Sequence, residues 1–241
     1  MSGISYTLKV SLRSKHARLK MVPREGLVVV VPEGYDRKQI PVLLQRYEGW
    51  IQRAAERLER HCQPDEHPVL PNGLPSSVVF RSVGEEWRVE YDPSRSRSVE
   101  RHVEGICSIL LPFEGARRDA ARDHLLLWLR KRAGAILLPM LEERSEALGL
   151  RYASAGVRLQ KSRWGSCSTR GRITLNTKLL FLPPELARYI MTHELCHTAE
   201  MNHSGSFWRL VQRHDPDFRQ HDRAMRDAWK YIPGWVTGHY L

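Results

Sequence analysis

"MTHELCHTAEMNHSGSFW", residues 191–208, places three histidines and a glutamate within eleven positions, from His193 to His203. His193 and His197 are four residues apart, so a helix would present both imidazole rings on one face, about one turn from each other. Glu194 would be offset by about 100° around that helix, where it can face the same cleft without being required as a ligand. The HExxH pattern therefore predicts two imidazoles that bind one metal ion, with a carboxylate beside them.

A third ligand would complete a catalytic site. The helix is predicted to begin at Pro184 and to run to about Met201, and polar turn-forming residues surround His203. The bend can return His203 to the metal, although Glu200 or a later acidic residue is an alternative ligand. Three protein ligands leave the fourth position of tetrahedral zinc open to water, which is typical of catalytic sites. Because imidazole nitrogen suits zinc, we expect one zinc ion per chain, with Glu194 as the general base of a hydrolysis.

A second unusual segment is "KSRWGSCSTRGRITLN", residues 161–176. In one interpretation Trp164, Gly165 and Ser166 line the substrate cleft, with the backbone as an edge strand to which an extended substrate pairs. In the other, Trp164 belongs to the core and Gly165 permits close approach of the metal-binding helix. We expect cleft lining, and the sequence leaves both interpretations open.

These two segments together resemble the YgjP-like (WLM/SprT-related) zinc metallopeptidase family, most clearly over about residues 150–215. The shared features are the RWGSCS segment, a strand containing "LN", the HELCH helix and the NHS..FW continuation. The resemblance implies a gluzincin-like or minimal-zincin core with the HExxH helix packed on a small sheet. It also implies zinc on His193, His197 and His203, Glu194 as base, and a peptide or protein substrate.

The sequence predicts an α+β fold in which strands come first and helices follow. Residues 5–32 alternate apolar and polar side chains, which indicates two or three antiparallel strands. An amphipathic helix is expected to reach about His61, and a long helical pattern starts near Glu114 and closes at Gly149. The remaining expectations are a loop over 63–77, strands over 78–111, 155–162 and 171–180, and two helices after residue 203.

We place a domain boundary near residue 115. Residues 1–115 would then form an antiparallel β-rich N-terminal region with one helix, and residues 116–241 the zincin-like metallopeptidase core. The four cysteines are scattered without a CxxC pair, which argues against a disulfide framework or a zinc ribbon.

Composition narrows the function classes. The 241-residue chain has a net charge of +11 and no apolar run long enough for a membrane span, and its N-terminus lacks a secretory signal pattern. We therefore expect a cytoplasmic protein without membrane contact. A basic surface, for example from Arg101, Arg117, Arg118 and Arg122, would favour polyanions.

Three hypotheses follow for function. The first is a zinc-dependent metallopeptidase. The second is a metal-dependent hydrolase of a nucleotide or another phosphoanhydride, and the third is a nucleic-acid-associated protein that carries the same metal site. The sequence has no P-loop or dinucleotide fingerprint that would strengthen the second hypothesis.

Overall fold

The computed structural model describes residues 5–12, 14–22, 26–61, 74–112 and 118–237. Two compact units divide between residues 66 and 67, and the C-terminal unit extends to residue 237. The predicted loop over 63–77 lies largely outside the described residues. The domain boundary near residue 115 stays a prediction, because a compact packing unit is not by itself an independently folding domain.

Both units combine strands and helices, as the α+β prediction requires. The strands are β1 Tyr6–Ser11, β2 Arg18–Val22, β3 Gly26–Pro32, β4 Ser77–Phe80, β5 Glu85–Asp92, β6 Val99–Val103, β7 Ile106–Pro112, β8 Ser154–Arg158, β9 Gly165–Cys167 and β10 Arg172–Asn176. The helices are α1 Ile40–Arg46, α2 Glu48–His61, α3 Arg118–Leu148, α4 Pro184–Cys196, α5 Gly205–His214, α6 Phe218–Met225 and α7 Gly234–Thr237. In the described part of the chain, no helix is both long and apolar enough to cross a membrane.

The N-terminal unit is a three-stranded sheet with the order β1-β3-β2, accompanied by α1 and α2. The sequence prediction of antiparallel strands is correct for β2 and β3 but wrong for β1, which runs parallel to β3. The central position goes to β3, "GLVVVVP", where Val29 is fully buried. The most apolar strand takes the central position because that position is the most buried. This gain in burial outweighs the shorter connections that the sequential order β1-β2-β3 would need.

The second unit begins with a four-stranded sheet of order β4-β5-β7-β6. Again the antiparallel expectation fails for one pair, because β5 and β7 run parallel. The central strand β7 contributes Ile109 and Leu111, both fully buried. Its hairpin with β6 turns through Glu104 and Gly105, which both have positive φ as a two-residue hairpin turn requires.

The long helix α3 connects this four-stranded sheet to a three-stranded sheet in the same unit. The strand order of that sheet is β8-β10-β9. Trp128 on α3 packs on Phe80 and Trp87 of the first sheet at ring distances of 5.5 and 5.3 Å. Farther along, α3 contacts β8, α4 and the 3₁₀ turn over residues 177–181. Gly149, with a φ of +66°, ends the helix where the sequence predicts.

Asn176, at the end of β10, holds the loop that precedes β9. Its amide nitrogen donates to the carbonyl oxygens of Gln160 at 3.1 Å and Arg163 at 2.6 Å. Its amide oxygen accepts from the backbone nitrogen of Lys178 at 3.2 Å. The side chain is completely buried, so these bonds are its alternative to water.

Asn176→Asp should destabilise the protein. A carboxylate cannot donate to the carbonyls of Gln160 and Arg163, so two acceptors would face a buried charge. We expect the free energy of unfolding to fall by about 2–3 kcal/mol in urea denaturation. The exposed Arg172 on the same strand supplies a control, since Arg172→Ala should change it by no more than about 0.5 kcal/mol. Equal effects of the two variants would contradict this role of Asn176.

Candidate metal centre

The three histidines converge on one point. The Nε2 atom of His193 lies 3.2 Å from Nε2 of His197 and 3.1 Å from Nε2 of His203. Among the described residues, these three histidines form the one group of three or more His, Cys, Asp or Glu side chains that could hold a metal ion. Their ligand atoms lie within 4.8 Å of one another. Zn–N bonds of about 2.0–2.1 Å at tetrahedral angles separate ligand nitrogens by about 3.3 Å. The observed spacing therefore fits a small cation such as zinc.

Helix α4 supplies His193, and its C-cap residue His197 supplies the second imidazole, but the helix ends earlier than predicted. It stops at Cys196 instead of continuing to about Met201. The backbone nitrogen of Thr198 donates to the carbonyl of Leu195, and the nitrogens of Ala199 and Glu200 donate to that of Cys196. These short-range bonds tighten the chain into a turn after His197, which is the bend that a third ligand needs.

Helix α5 begins directly after His203. Ser204 is its N-cap, and the Ser204 hydroxyl accepts from the backbone nitrogen of Phe207 at 3.4 Å. Phe207, which is fully buried, packs against His193, His197 and His203 at ring distances of 5.0, 4.4 and 4.8 Å. Phe207 thus connects the imidazole cluster to the apolar core.

Glu200, the alternative ligand, has a different place. Its carboxylate accepts from the Ser206 hydroxyl at 3.1 Å, and its carbonyl oxygen lies 3.0 Å from Nδ1 of His197. A proton on Nδ1 that is donated to this carbonyl leaves Nε2 of His197 with a free lone pair toward the cluster. Glu200 therefore orients a candidate ligand through its backbone.

Burial also prepares His193 for a metal. Burial, together with repulsion from His197 and His203, lowers the pKa of His193 to about 3. The pKa of His197 is likewise lowered, chiefly by burial. Neutral imidazoles keep the lone pair that a metal ligand must offer. The Nδ1 atom of His193 is buried without a hydrogen-bond partner within the described residues.

Two aspartates, Asp215 and Asp222, lie near the cluster and have other hydrogen-bond partners. Asp215 pairs with Nδ1 of His221 at 2.8 Å, and Asp222 accepts from the Tyr189 hydroxyl at 3.2 Å. Tyr189 lies beside His193 at a ring distance of 6.0 Å. The two aspartates therefore contact the neighbours of the cluster and not its imidazoles.

Glu194 lies on α4 beside the cluster and is only 6% exposed. Burial raises the pKa of Glu194 to about 7, while the positive charge of Arg163 acts to lower it. Gly165 faces this side chain. A Cβ atom at position 165 would lie 2.6 Å from Oε1 and 2.7 Å from Cγ of Glu194. The space that Glu194 occupies therefore exists because residue 165 has no side chain.

The RWGSCS segment satisfies parts of both sequence interpretations. Gly165 permits close approach of α4, as the structural interpretation proposed. Residues 165–167 also form β9, an edge strand that pairs with β10 alone among the described strands. Trp164 is half-buried and stacks on Trp229 with a ring distance of 4.4 Å. Ser166 pairs with Thr174 in the ladder and is half-buried.

Arg144 on α3 connects the two helices that carry the cluster. Its Nε atom donates to the Thr192 hydroxyl on α4 at 3.0 Å, and a terminal nitrogen donates to the carbonyl of His214 at the end of α5 at 3.0 Å. The sequence analysis missed both Arg144 and Asn176. Arg144 lies in the polar run of residues 142–146, so no local signal marks it, whereas Asn176 interrupts the apolar pattern of residues 173–180.

The cysteines near the site are protonated thiols. Burial raises the pKa of Cys196 to about 12, and burial together with the charge of Glu194 raises that of Cys167 to about 11. A thiol with so high a pKa is a poor nucleophile and a poor metal ligand at neutral pH. In the described part of the chain, Cys107, Cys167 and Cys196 are free.

Three converging imidazoles beside a buried carboxylate define the class of a metal-dependent hydrolase centre. A family model described as "YgjP-like, metallopeptidase domain" matches residues 15–228. Since this match spans most of the chain, the protein belongs to the YgjP-like metallopeptidase family, as the sequence resemblance predicted. The function class is accordingly that of a metal-dependent peptidase.

Two solved structures are similar to part of the chain. The metallopeptidase zymogen abylysin from Pyrococcus abyssi is 32% identical, with 38% of this chain and 93% of that chain covered and a TM-score of 0.34. The metallopeptidase zymogen jannalysin from Methanocaldococcus jannaschii is 18% identical, with 37% and 93% covered and the same TM-score of 0.34. These scores are too low to support a structural argument. A search of curated proteins gave no match.

Replacing His203 and Glu200 in turn should show which of the two residues is the third metal ligand. We expect His203→Ala to weaken zinc binding by more than the 10–100-fold typical of outer-sphere changes, because one of three imidazoles is lost. Glu200→Gln should keep most of the affinity, since its side chain contacts Ser206. Competition with a chromogenic chelator measures both, and His16→Ala, which removes an exposed histidine, is the control. Unchanged affinity in His203→Ala would exclude His203 as a ligand.

Proposed function

We propose that this protein is a zinc-dependent metallopeptidase in which His193, His197 and His203 hold one zinc ion per chain and Glu194 is the general base. The observation that supports this proposal most directly is the convergence of the three Nε2 atoms at 3.1 and 3.2 Å beside the buried Glu194. Within this proposal, residues 116–241 would constitute a minimal-zincin-like core. Family membership favours a peptide bond as the substrate.

Zinc at such a site would act as a Lewis acid that polarises the substrate carbonyl and makes a water molecule more acidic. Glu194 would accept a proton from that water while the water oxygen attacks the carbonyl carbon. The carboxyl group would then deliver this proton to the amide nitrogen as the C–N bond breaks. The net reaction adds one water to one peptide bond and returns Glu194 to its initial state.

The substrate would bind in an extended form along β9. The outer edge of this strand is unpaired within the described sheet, and its first residue contacts the Glu194 side chain. Main-chain hydrogen bonds to such an edge position a peptide without requiring a particular side chain. Trp164 and Ser166, on either side of Gly165, would line the same cleft.

The other sequence hypotheses gain less support. A phosphoanhydride can be polarised by the same cation, and this activity stays a prediction, as does the cytoplasmic location. The comparisons give no support to nucleic-acid binding.

Glu194→Gln should abolish hydrolysis and leave zinc binding intact. Glutamine keeps the size of the side chain but cannot take up a proton, and loss of a general base costs about 10²–10⁴-fold in rate. A peptide-library digest followed by mass spectrometry measures the rate, and elemental analysis measures zinc. Removal of zinc by a chelator should also stop cleavage, and returning zinc should restore it. Intact peptides with fully zinc-loaded wild-type protein would contradict the proposal.

Gly165→Ala should reduce the rate although it adds only one methyl group. The new Cβ would displace the Glu194 side chain, and a displacement of about 1 Å can cost on the order of 10²-fold in rate. Gly49→Ala is the matched control, because a Cβ at Gly49 on α2 would contact only the flexible side chain of Arg53, at 3.4 Å. We expect zinc content to stay unchanged in both variants. A Gly165→Ala protein as active as Gly49→Ala would show that Glu194 needs no such space.

A further inference from the structure

A groove of about 470 Å³ lies between α3 and the strands β8 and β10. None of its lining residues belongs to the imidazole cluster or to β9. In the sheet order β8-β10-β9, the strand β8 is the edge opposite to the one that faces Glu194. The groove is therefore a separate feature from the candidate metal centre.

Four cations line this groove. Arg130 and Lys131 come from α3, Arg158 from β8 and Arg172 from β10. All four are exposed, and none forms an ion pair with another described residue. No acidic residue lines the groove. Like charges that share a concave surface repel one another and concentrate the positive potential, so an anionic ligand would relieve this repulsion.

The shape of the groove suits an extended chain. Gly156, in the middle of β8, lines the groove, and a Cβ added there would have no heavy atom within 4 Å. Gly156 and Arg158 on β8 lie on the same sheet face as Arg172 and Thr174 on β10, and this face lines the groove. No described strand pairs with the other side of β8, so an extended chain can lie along β8 over this face.

The lining also contains apolar surface. Leu127 on α3 is 67% exposed at one side of the groove, and it lies one helical turn from Arg130 and Lys131. An acidic polypeptide can place carboxylates on the arginines in bidentate geometry and an apolar side chain on Leu127. No aromatic residue lines the groove, so the bases of a single-stranded nucleic acid would have no ring to stack on.

We propose that this α3–β8 groove binds an extended acidic segment of another polypeptide. This role rests on the proposed peptidase function. The acidic segment then belongs to the protein substrate and binds away from the bond to be cleaved. Binding itself requires neither the metal nor Glu194. The groove thus favours substrates that carry acidic, partly apolar stretches.

Fluorescence anisotropy with a fluorescein-labelled peptide of alternating Glu and Leu tests this proposal. The protein is zinc-loaded Glu194→Gln, so that the peptide is not cleaved during the measurement. A peptide of alternating Gln and Leu controls for apolar contact, and a single-stranded oligonucleotide of equal charge controls for general attraction to the +11 protein. We expect the Glu-containing peptide to bind most tightly and its affinity to fall with added salt.

Variants in the same background locate the binding site. Arg158→Glu should weaken binding of the acidic peptide by about tenfold or more, because an attraction becomes a repulsion. Arg223→Glu makes the same charge change on the exposed surface of α6 and should leave the affinity nearly unchanged. Gly156→Val fills the groove without changing charge and should also weaken binding, which separates occupancy of the groove from net charge.

Equal losses in Arg158→Glu and Arg223→Glu would overturn the proposal, as would absence of binding or unaffected binding to Gly156→Val. Preferred binding of the oligonucleotide, sensitive to Arg158→Glu, would assign the groove to nucleic acid instead. Failure of the peptidase proposal would be seen separately, as zinc-loaded wild-type protein that binds the acidic peptide without hydrolysing any peptide. Conversely, the wild type and Arg158→Glu could hydrolyse a short neutral peptide at the same rate while neither binds the acidic peptide. That result would refute the proposed role of the groove and leave the peptidase proposal intact.

Discussion

The reversal of the chain between α4 and α5 is the constraint on which the candidate site depends. Two imidazoles on one helical face follow from a spacing of four residues, but the third must return across the bend that ends at His203. Short-range hydrogen bonds stop α4 at Cys196, and the Ser204 cap starts α5 at once. Phe207 then packs beneath all three rings, so the apolar core and the metal-binding geometry share one residue.

The close approach of Glu194 to β9 is the second constraint on the candidate site. Glu194 is buried against β9, where Gly165 leaves the volume that its carboxylate occupies. The loop before β9 is in turn fixed by the buried amide of Asn176, which bonds to the carbonyls of Gln160 and Arg163. The segment from Gln160 to Asn176 therefore positions both the proposed base and the proposed substrate strand.

The two edges of the β8-β10-β9 sheet differ in character. The β9 edge faces Glu194, whereas the β8 edge borders a groove that is rich in arginine and free of acidic lining residues. Under the two proposals made above, partner recognition and hydrolysis would vary independently, because no lining residue of the groove belongs to the imidazole cluster. Four of the positive charges that contribute to the net charge of +11 therefore lie together in this groove.

Sequence by itself determined the features that depend on local spacing. It predicted the α+β class, the C-terminal ends of α2 and α3, the HELCH helix, the candidate imidazoles and the family resemblance, because each is encoded within one or two turns or in a contiguous motif. It did not predict the break at Tyr47, which divides the single expected helix into α1 and α2. Tertiary structure decided the features that depend on distant pairs. The parallel pairings of β1 with β3 and β5 with β7 are examples, as are the contact of Gly165 with Glu194 and the role of Arg144. Their partners lie far apart in the chain, and what selects them is competition for the buried centre of a sheet or core, which no local periodicity records.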